Sequence, residues 1–268
     1  MRQDANPRLL DEIAAAATAG ADEVEEAQIG GWWCKAAPAL PFRRANAALP
    51  PVGAAADRAA LADAFADVRS WYGARRRRVI VQVSSASPDH RTLDAWLARQ
   101  GLAHEAPVHV MAAELDAVPP PSGVDVEVAS GIDRRWVEAH ALLGDEPARR
   151  RSLAYGQLLA GAGARGSGAA AHLDGELAGI GFARADRGWV GIFGMATGPQ
   201  HRGRGVATAV LGALAAQAGA APGQANRGAY LQVEVDNHAA IALYRRCGFV
   251  VSHGYHYRSE GIGPEQGC

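Results

Sequence analysis

The sequence predicts an α/β (α+β) protein: a mixed, mostly antiparallel sheet flanked by helices, with that layout present in two tandem copies. Three observations predict it. An apolar run from Trp189 to Ala196 is followed by Gln200-His201-Arg202-Gly203-Arg204-Gly205 and an Ala/Leu-rich run, Val206 to Ala218. These read in order as strand, glycine-punctuated turn and helix. Leu231 to Asn237 then alternates apolar and polar residues and leads into His238 to Phe249, a second strand–helix block. Finally, sliding the first half by 147 positions brings Gly101-Leu102 onto Gly248-Phe249 and Val108-His109-Val110 onto Tyr255-His256-Tyr257. An internal repeat is therefore expected.

The elements follow along the chain. Trp32-Trp33-Cys34 reads as packing on an early strand, and Phe42 to Leu49 as another strand. Asp57 to Tyr72 is a helix, Val79 to Val83 a strand, Asp89 to Gln100 a helix and His104 to Glu114 a strand. The run Val118-Pro119-Pro120-Pro121-Ser122-Gly123 cannot sit in a helix or a central strand. It is read as a stiff linker, residues 118–123, between a first domain, 1–117, and a second, 124–260. Residues 261–268 are read as a flexible tail.

In the second domain a strand covers Val124 to Ala129, with helices at Asp133–Leu143 and Ala148–Ala160. Gly161 to Gly168 reads as a surface loop. A hairpin joins Ala169–Leu173 to Leu177–Ala185 through Asp174-Gly175-Glu176. The two strand–helix blocks come next, and Phe249–Ser252 and Tyr255–Arg258 close the sheet. Asn237 is positioned as an N-cap, and Gly248 ends its helix.

A strand, a glycine turn and a helix start together form an anion cradle. Backbone N–H groups point into the turn, and the helix adds its positive dipole end. The chain has 32 glycines, so G-x-G pairs recur by accident; context distinguishes Gly203/Gly205. The turn is neither a G-x-x-x-x-G-K-[ST] loop nor a dinucleotide G-x-G-x-x-G. It resembles the Q/R-x-x-G-x-G/A loop of the GCN5-related N-acetyltransferase (GNAT) superfamily. Leu231 to Phe249 resembles the same superfamily's second acetyl-CoA half-site, and the element order of residues 124–260 is similar throughout.

The resemblance implies acetyl-CoA as cosubstrate and direct attack by an amine in a ternary complex. It assigns the pyrophosphate to amides of His201, Arg202, Gly203, Arg204, Gly205, Val206 and Ala207, with Gln200 opening the loop and Thr208 adding a hydroxyl. It assigns pantetheine to the backbone of Met195, Ala196 and Thr197, with Asn237 beside it. Asn237 is alternatively a plain cap, and Arg202 and Arg204 are alternatively solvated. Tyr244 stands at the position of the acid that protonates the leaving thiolate, or else is a core tyrosine. The loop strand carries no base, so Glu234 on the neighbouring strand is the nearest candidate, ahead of His238, Glu138 and His140. A water relay is the alternative.

The first half lacks this equipment. Opposite the loop it has Pro50-Pro51-Val52-Gly53-Ala54, and opposite Asn237 and Tyr244 it has His90 and Leu97. It is read as a degenerate copy that does not bind the cofactor. The tandem layout is similar to that of some actinobacterial acetyltransferases of the mycothiol-synthase type, and Lys35, the only lysine, fits a GC-rich bacterial genome.

Composition narrows the remainder. A formal net charge of −1 gives no global case for nucleic-acid binding. No apolar run approaches the about 18 residues that cross a bilayer, and no membrane partner is expected. Cys34, Cys247 and Cys268 show no paired spacing, which speaks against disulfides and metal and for the cytoplasm. Arg75 to Arg78 reads as a solvated helix end. His253 and His256 should face opposite ways on a strand. The expected acceptor is a small-molecule or peptide amine, the expected state monomer or homodimer, and the alternative function a non-catalytic acyl-CoA sensor.

Overall fold

The computed structural model describes residues 24–121, 123–144, 146–160, 166–186, 188–220 and 226–261. Among these, two compact units form: residues 24–109 with 252–261, and residues 110–251.

In the first unit, β1 (Glu25–Ile29) and β2 (Trp32–Ala36) form an antiparallel hairpin about Gly30-Gly31. The polar run Glu25-Glu26-Ala27-Gln28 hid β1 from apolar patterning. The strand expected over 42–49 contracts to β3 (Ala48–Leu49), preceded by a 3-10 turn at Arg43–Ala45. Buried Asn46 explains the contraction: its side chain donates to the carbonyls of Leu40 and Phe42 and accepts the Ala37 N–H, replacing a strand ladder with a loop. Helix α1 (Arg58–Ala74), β4 (Ile80–Ser84), α2 (His90–Arg99) and β5 (Ala103–Ala113) follow; β5 passes from the first unit to the second after His109. Trp32, Phe65, Val68, Tyr72 and Leu97 fill this unit's core.

The second unit contains β6 (Asp125–Ser130), α3 (Arg134–Leu143), α4 (Glu146–Ala160), β7 (Gly166–Leu173), β8 (Glu176–Asp186), β9 (Trp189–Thr197), α5 (Val206–Gly219), β10 (Gly228–Glu234) and α6 (His238–Arg246). Its strands run in the order β10, β9, β8, β7, β6. The β7–β8 turn has Asp174 and Gly175 both at positive φ, as an Asp-Gly hairpin turn requires. Helices α5 and α6 share one core with β9 and β10.

Three expectations change. Gly166 to Gly168, expected in a loop, start β7, while 161–165 and the tail from 262 lie outside the described residues. The two closing strands are one, β11 (Val250–Ser259), whose Tyr255 to Ser259 pair antiparallel with Ser84 to Ile80 of β4. Residues from 252 onward thus belong with the first unit. The prolines at 119–121 are not where the units part. They pack on α5 within the second unit, so closely that a Cβ on Gly212 would lie 2.3 Å from the Pro119 carbonyl oxygen.

The repeat is visible in backbone detail. Gly101 and Gly248 follow α2 and α6 at φ 85° and 86°. Leu102 N–H bonds Leu97 C=O, and Phe249 N–H bonds Tyr244 C=O, the same helix-ending motif 147 residues apart. The parallel β3–β4 pairing across α1 matches the parallel β9–β10 pairing across α5.

Candidate active site

The site forms where β9 and β10 part. Their parallel ladder runs from Trp189/Gly228 to Ile192/Leu231. Both strands continue, β9 to Thr197 and β10 to Glu234. On its other side β9 stays paired with β8, through a bulge in β9 between Phe193 and Ala196. Gly194 within the bulge takes φ 57°. Met195, Ala196 and Thr197 are half-buried there, with their β10 side outside the ladder.

Beyond β9 the chain turns through Pro199–His201 and reaches α5. Gly203 (φ 75°) and Gly205 (φ 82°) are left-handed, with open space where a Cβ would stand. Gly205 caps α5 without a side chain, so nothing of its own covers the first-turn amides of Val206, Ala207 and Thr208. These features fit a phosphate group of acetyl-CoA. Gln200, Arg202 and Arg204 are exposed, and Arg204 pairs with Asp174 at 2.8 Å. His201 is buried; its ring nitrogens have no hydrogen-bond partner among the described residues, and Nε2 lies 3.6 Å from the Glu176 carboxylate. Thr208 turns toward α6, its Oγ1 4.0 Å from Cys247 Sγ.

On α6, Asn237 Oδ1 accepts the Ala240 N–H at 3.1 Å. The cap reading holds for that oxygen, and the amide NH₂ remains for other partners. Tyr244 is 8% exposed, packed on Phe249, and its hydroxyl has no hydrogen-bond partner among the described residues. Burial, reinforced by nearby Tyr155 and Cys247, pushes its pKa up to about 12. It therefore carries its proton at neutral pH.

The opposite wall comes from α3 and α4 and was mostly unread in the sequence. Trp136 donates to Gly181 C=O, and Tyr155 Oη accepts the Gly194 N–H at 3.1 Å, holding the bulge. His140 stacks on Trp136, touches Tyr155 and bonds Ser152 through Nδ1 at 2.8 Å. Burial lowers its pKa, keeping the ring neutral. Glu234 ends β10, exposed, two residues beyond Gln232 and four beyond Tyr230, on their face of the strand. Glu138 is engaged with Arg134, and His238 is an exposed first-turn residue of α6. Of the His140–Ser152–Tyr155 cluster the sequence singled out only His140, as a weaker base candidate; the three meet only when α3 and α4 pack together.

Among the described residues no group of His, Cys, Asp and Glu is arranged to hold a metal, and no helix is long and apolar enough to cross a membrane.

Residues 5–258 match the family described as probable histone acetyltransferase Rv0428c C-terminal. No curated protein matches the chain. Among solved structures, a GCN5-related N-acetyltransferase from Kribbella flavida superposes with TM-score 0.68 at 17% identity, covering 94% of this chain and 95% of its own. A tandem GNAT protein from the clavulanic acid biosynthesis pathway, without AcCoA, gives 0.67 at 16% identity over 97% and 90%. A GCN5-related N-acetyltransferase from Sphaerobacter thermophilus gives 0.51 at 21% over 76% and 67%. At such identities the likeness is one of fold.

Proposed function

The chain belongs to the family of the probable histone acetyltransferase Rv0428c C-terminal region, within the GNAT superfamily, and from that premise we propose that it moves an acetyl group from acetyl-CoA to a primary amine by direct attack in a ternary complex. The observation that carries the reading is the open end of α5 beside the splayed β9 and β10. The loop amides from His201 to Ala207 hold the pyrophosphate, and the free edge of Met195 to Thr197 pairs with pantetheine as an added strand would. Acetyl-CoA supplies the thioester, and its sulfur leaves as a thiolate. Tyr244 holds a proton for that sulfur. A backbone N–H near Met195 or Ala196 faces the developing oxyanion.

Proton uptake from the amine falls to Glu234 or His140. Glu234 is an exposed carboxylate at the end of β10. His140 is neutral, the form a base requires, and it neighbours the Gly194 bulge. The variant whose rate loses its acidic limb identifies the base.

The acceptor is a small-molecule or peptide amine. The matched family's description makes a basic protein tail one member of that class to screen. The absence of any base on β9 itself favours one alternative, a non-catalytic acyl-CoA sensor. Calorimetric titration with acetyl-CoA tests the core of the proposal. One site per chain, lost in Gly203→Glu, supports it, and no binding sinks it. Tyr244→Phe then separates enzyme from sensor.

A further inference from the structure

The first unit holds a basic cavity of about 310 Å³ that the acetyl-transfer chemistry does not use. Four arginines line it: Arg43, Arg76, Arg77 and Arg78. Leu40, Phe42 and Ile80 supply an apolar part of its wall.

The arginines come from the end of α1. Arg77 N–H bonds Tyr72 C=O and Arg76 N–H bonds Gly73 C=O, the double bond of a helix-ending turn. Such a turn places its left-handed residue where glycine is usual, yet Arg76 stands there at φ 52°. A strained arginine at a position that glycine would fill without cost points to a use for the side chain. The preceding Arg75 is occupied elsewhere, paired with Glu25 and stacked on Trp71. The run is therefore not a uniformly solvated helix end. One arginine is spent on packing and three turn to the cavity.

Acidic groups cover little of this charge. Glu105 takes Arg43 at 2.9 Å and Arg78 at 3.6 Å. Glu260 directs its carboxylate to Arg69 and the Val79 N–H. Arg77 is held at 2.9 Å by Asn46 Oδ1, itself fixed in the loop below. Arg76 is exposed and has no acidic partner among the described residues. Four guanidinium groups thus face one carboxylate. The planar forks match phosphate oxygens in pairs.

We propose that this cavity binds a phosphorylated small molecule, its phosphate groups on Arg43, Arg76, Arg77 and Arg78 and its organic part against Leu40, Phe42 and Ile80. The site does not depend on the cofactor loop of the second unit.

The test uses inorganic pyrophosphate, titrated calorimetrically into the full chain carrying Gly203→Glu so that the loop before α5 is silenced. One site per chain is expected. Arg76→Gly should weaken it about tenfold, the worth of one charge-assisted hydrogen bond, while raising the Tm of the free protein by relieving the left-handed strain. Arg43→Gln should weaken binding to a similar degree. A structural role for Arg76 would lower Tm on substitution and leave binding alone. No binding, or binding unmoved by both variants, overturns the proposal. Binding of a single-stranded oligonucleotide more tightly than pyrophosphate also overturns it, by moving the arginines to a nucleic-acid backbone.

Discussion

The N-terminal ends of α1 and α5 follow the same strand and the same parallel crossover, yet they are finished in opposite ways. At α1, Asp57 Oδ1 accepts the N–H groups of Ala59 and Ala60. Just ahead, Asp89 Oδ2 accepts the Ala55 N–H at 2.6 Å. Hydrogen bonds from Ser87, Ala55 and Gly53 outweigh the desolvation of Asp89 and hold its carboxyl below the usual range. At α5, Gly205 caps without a side chain, and two left-handed glycines leave the approach open. At one helix start the fold supplies its own carboxylates to the amides, and at the other it supplies none.

Each prediction presses on that contrast. The largest effect is expected from Tyr244→Phe: turnover should fall about 10²- to 10⁴-fold, with acetyl-CoA affinity unchanged by calorimetry. Unaltered turnover would remove Tyr244 from the mechanism. With a folded pKa of about 12, the wild-type rate should show no basic limb from this group below pH 10. Gly203→Glu should weaken acetyl-CoA about a hundredfold, because a carboxylate then faces phosphate.

In the first unit the effects fall on stability. His253 is buried, and desolvation lowers its pKa from 6.5 to about 4. A depressed folded pKa gives stability that is intact above pH 6.5 and lost as pH falls through 4. The loss approaches about 3 kcal/mol at one pKa unit per 1.4 kcal/mol. Denaturant midpoints across that window should flatten in His253→Leu. Asp94 takes Arg258 through both oxygens, at 2.7 and 2.9 Å, and His256 at 2.6 Å. Arg258 foremost holds its carboxyl down to about 2. Asp94→Ala should cost about 2 kcal/mol in urea unfolding by leaving half-buried Arg258 unpaired. The smallest change is Asp57→Ala, about 1 kcal/mol for a lost cap. Combined with Asp89→Ala it should not create a second acetyl-CoA site. A second site appearing there would mean that the carboxylates alone silence the first unit.

Local chemistry was legible in the residues. Gly203 and Gly205 announced a left-handed turn, and Asp174-Gly175 a hairpin. Gly101 and Gly248 announced paired helix ends, because only a few residues tolerate those backbone angles. Asn237 read correctly as a cap because its short side-chain oxygen can accept a first-turn N–H. Harder to see was β1, whose polar residues carry no apolar period, and the short β3, displaced by the hydrogen bonds of Asn46.

The sequence by itself determined most of the element order, the glycine turn before α5 and the placing of Tyr244 on a helix, since each rests on residues within a few positions of one another, and the repeat, since its helix-ending glycines recur 147 positions apart. Only the tertiary structure decided that β11 pairs with β4, that the prolines at 119–121 pack on Gly212, that Tyr155 and His140 meet at the Gly194 bulge, and that three arginines ending α1 turn into one cavity with Arg43. Those outcomes depend on which distant surfaces bury each other, and backbone partners and packing contacts across a hundred residues leave no period or spacing in the chain.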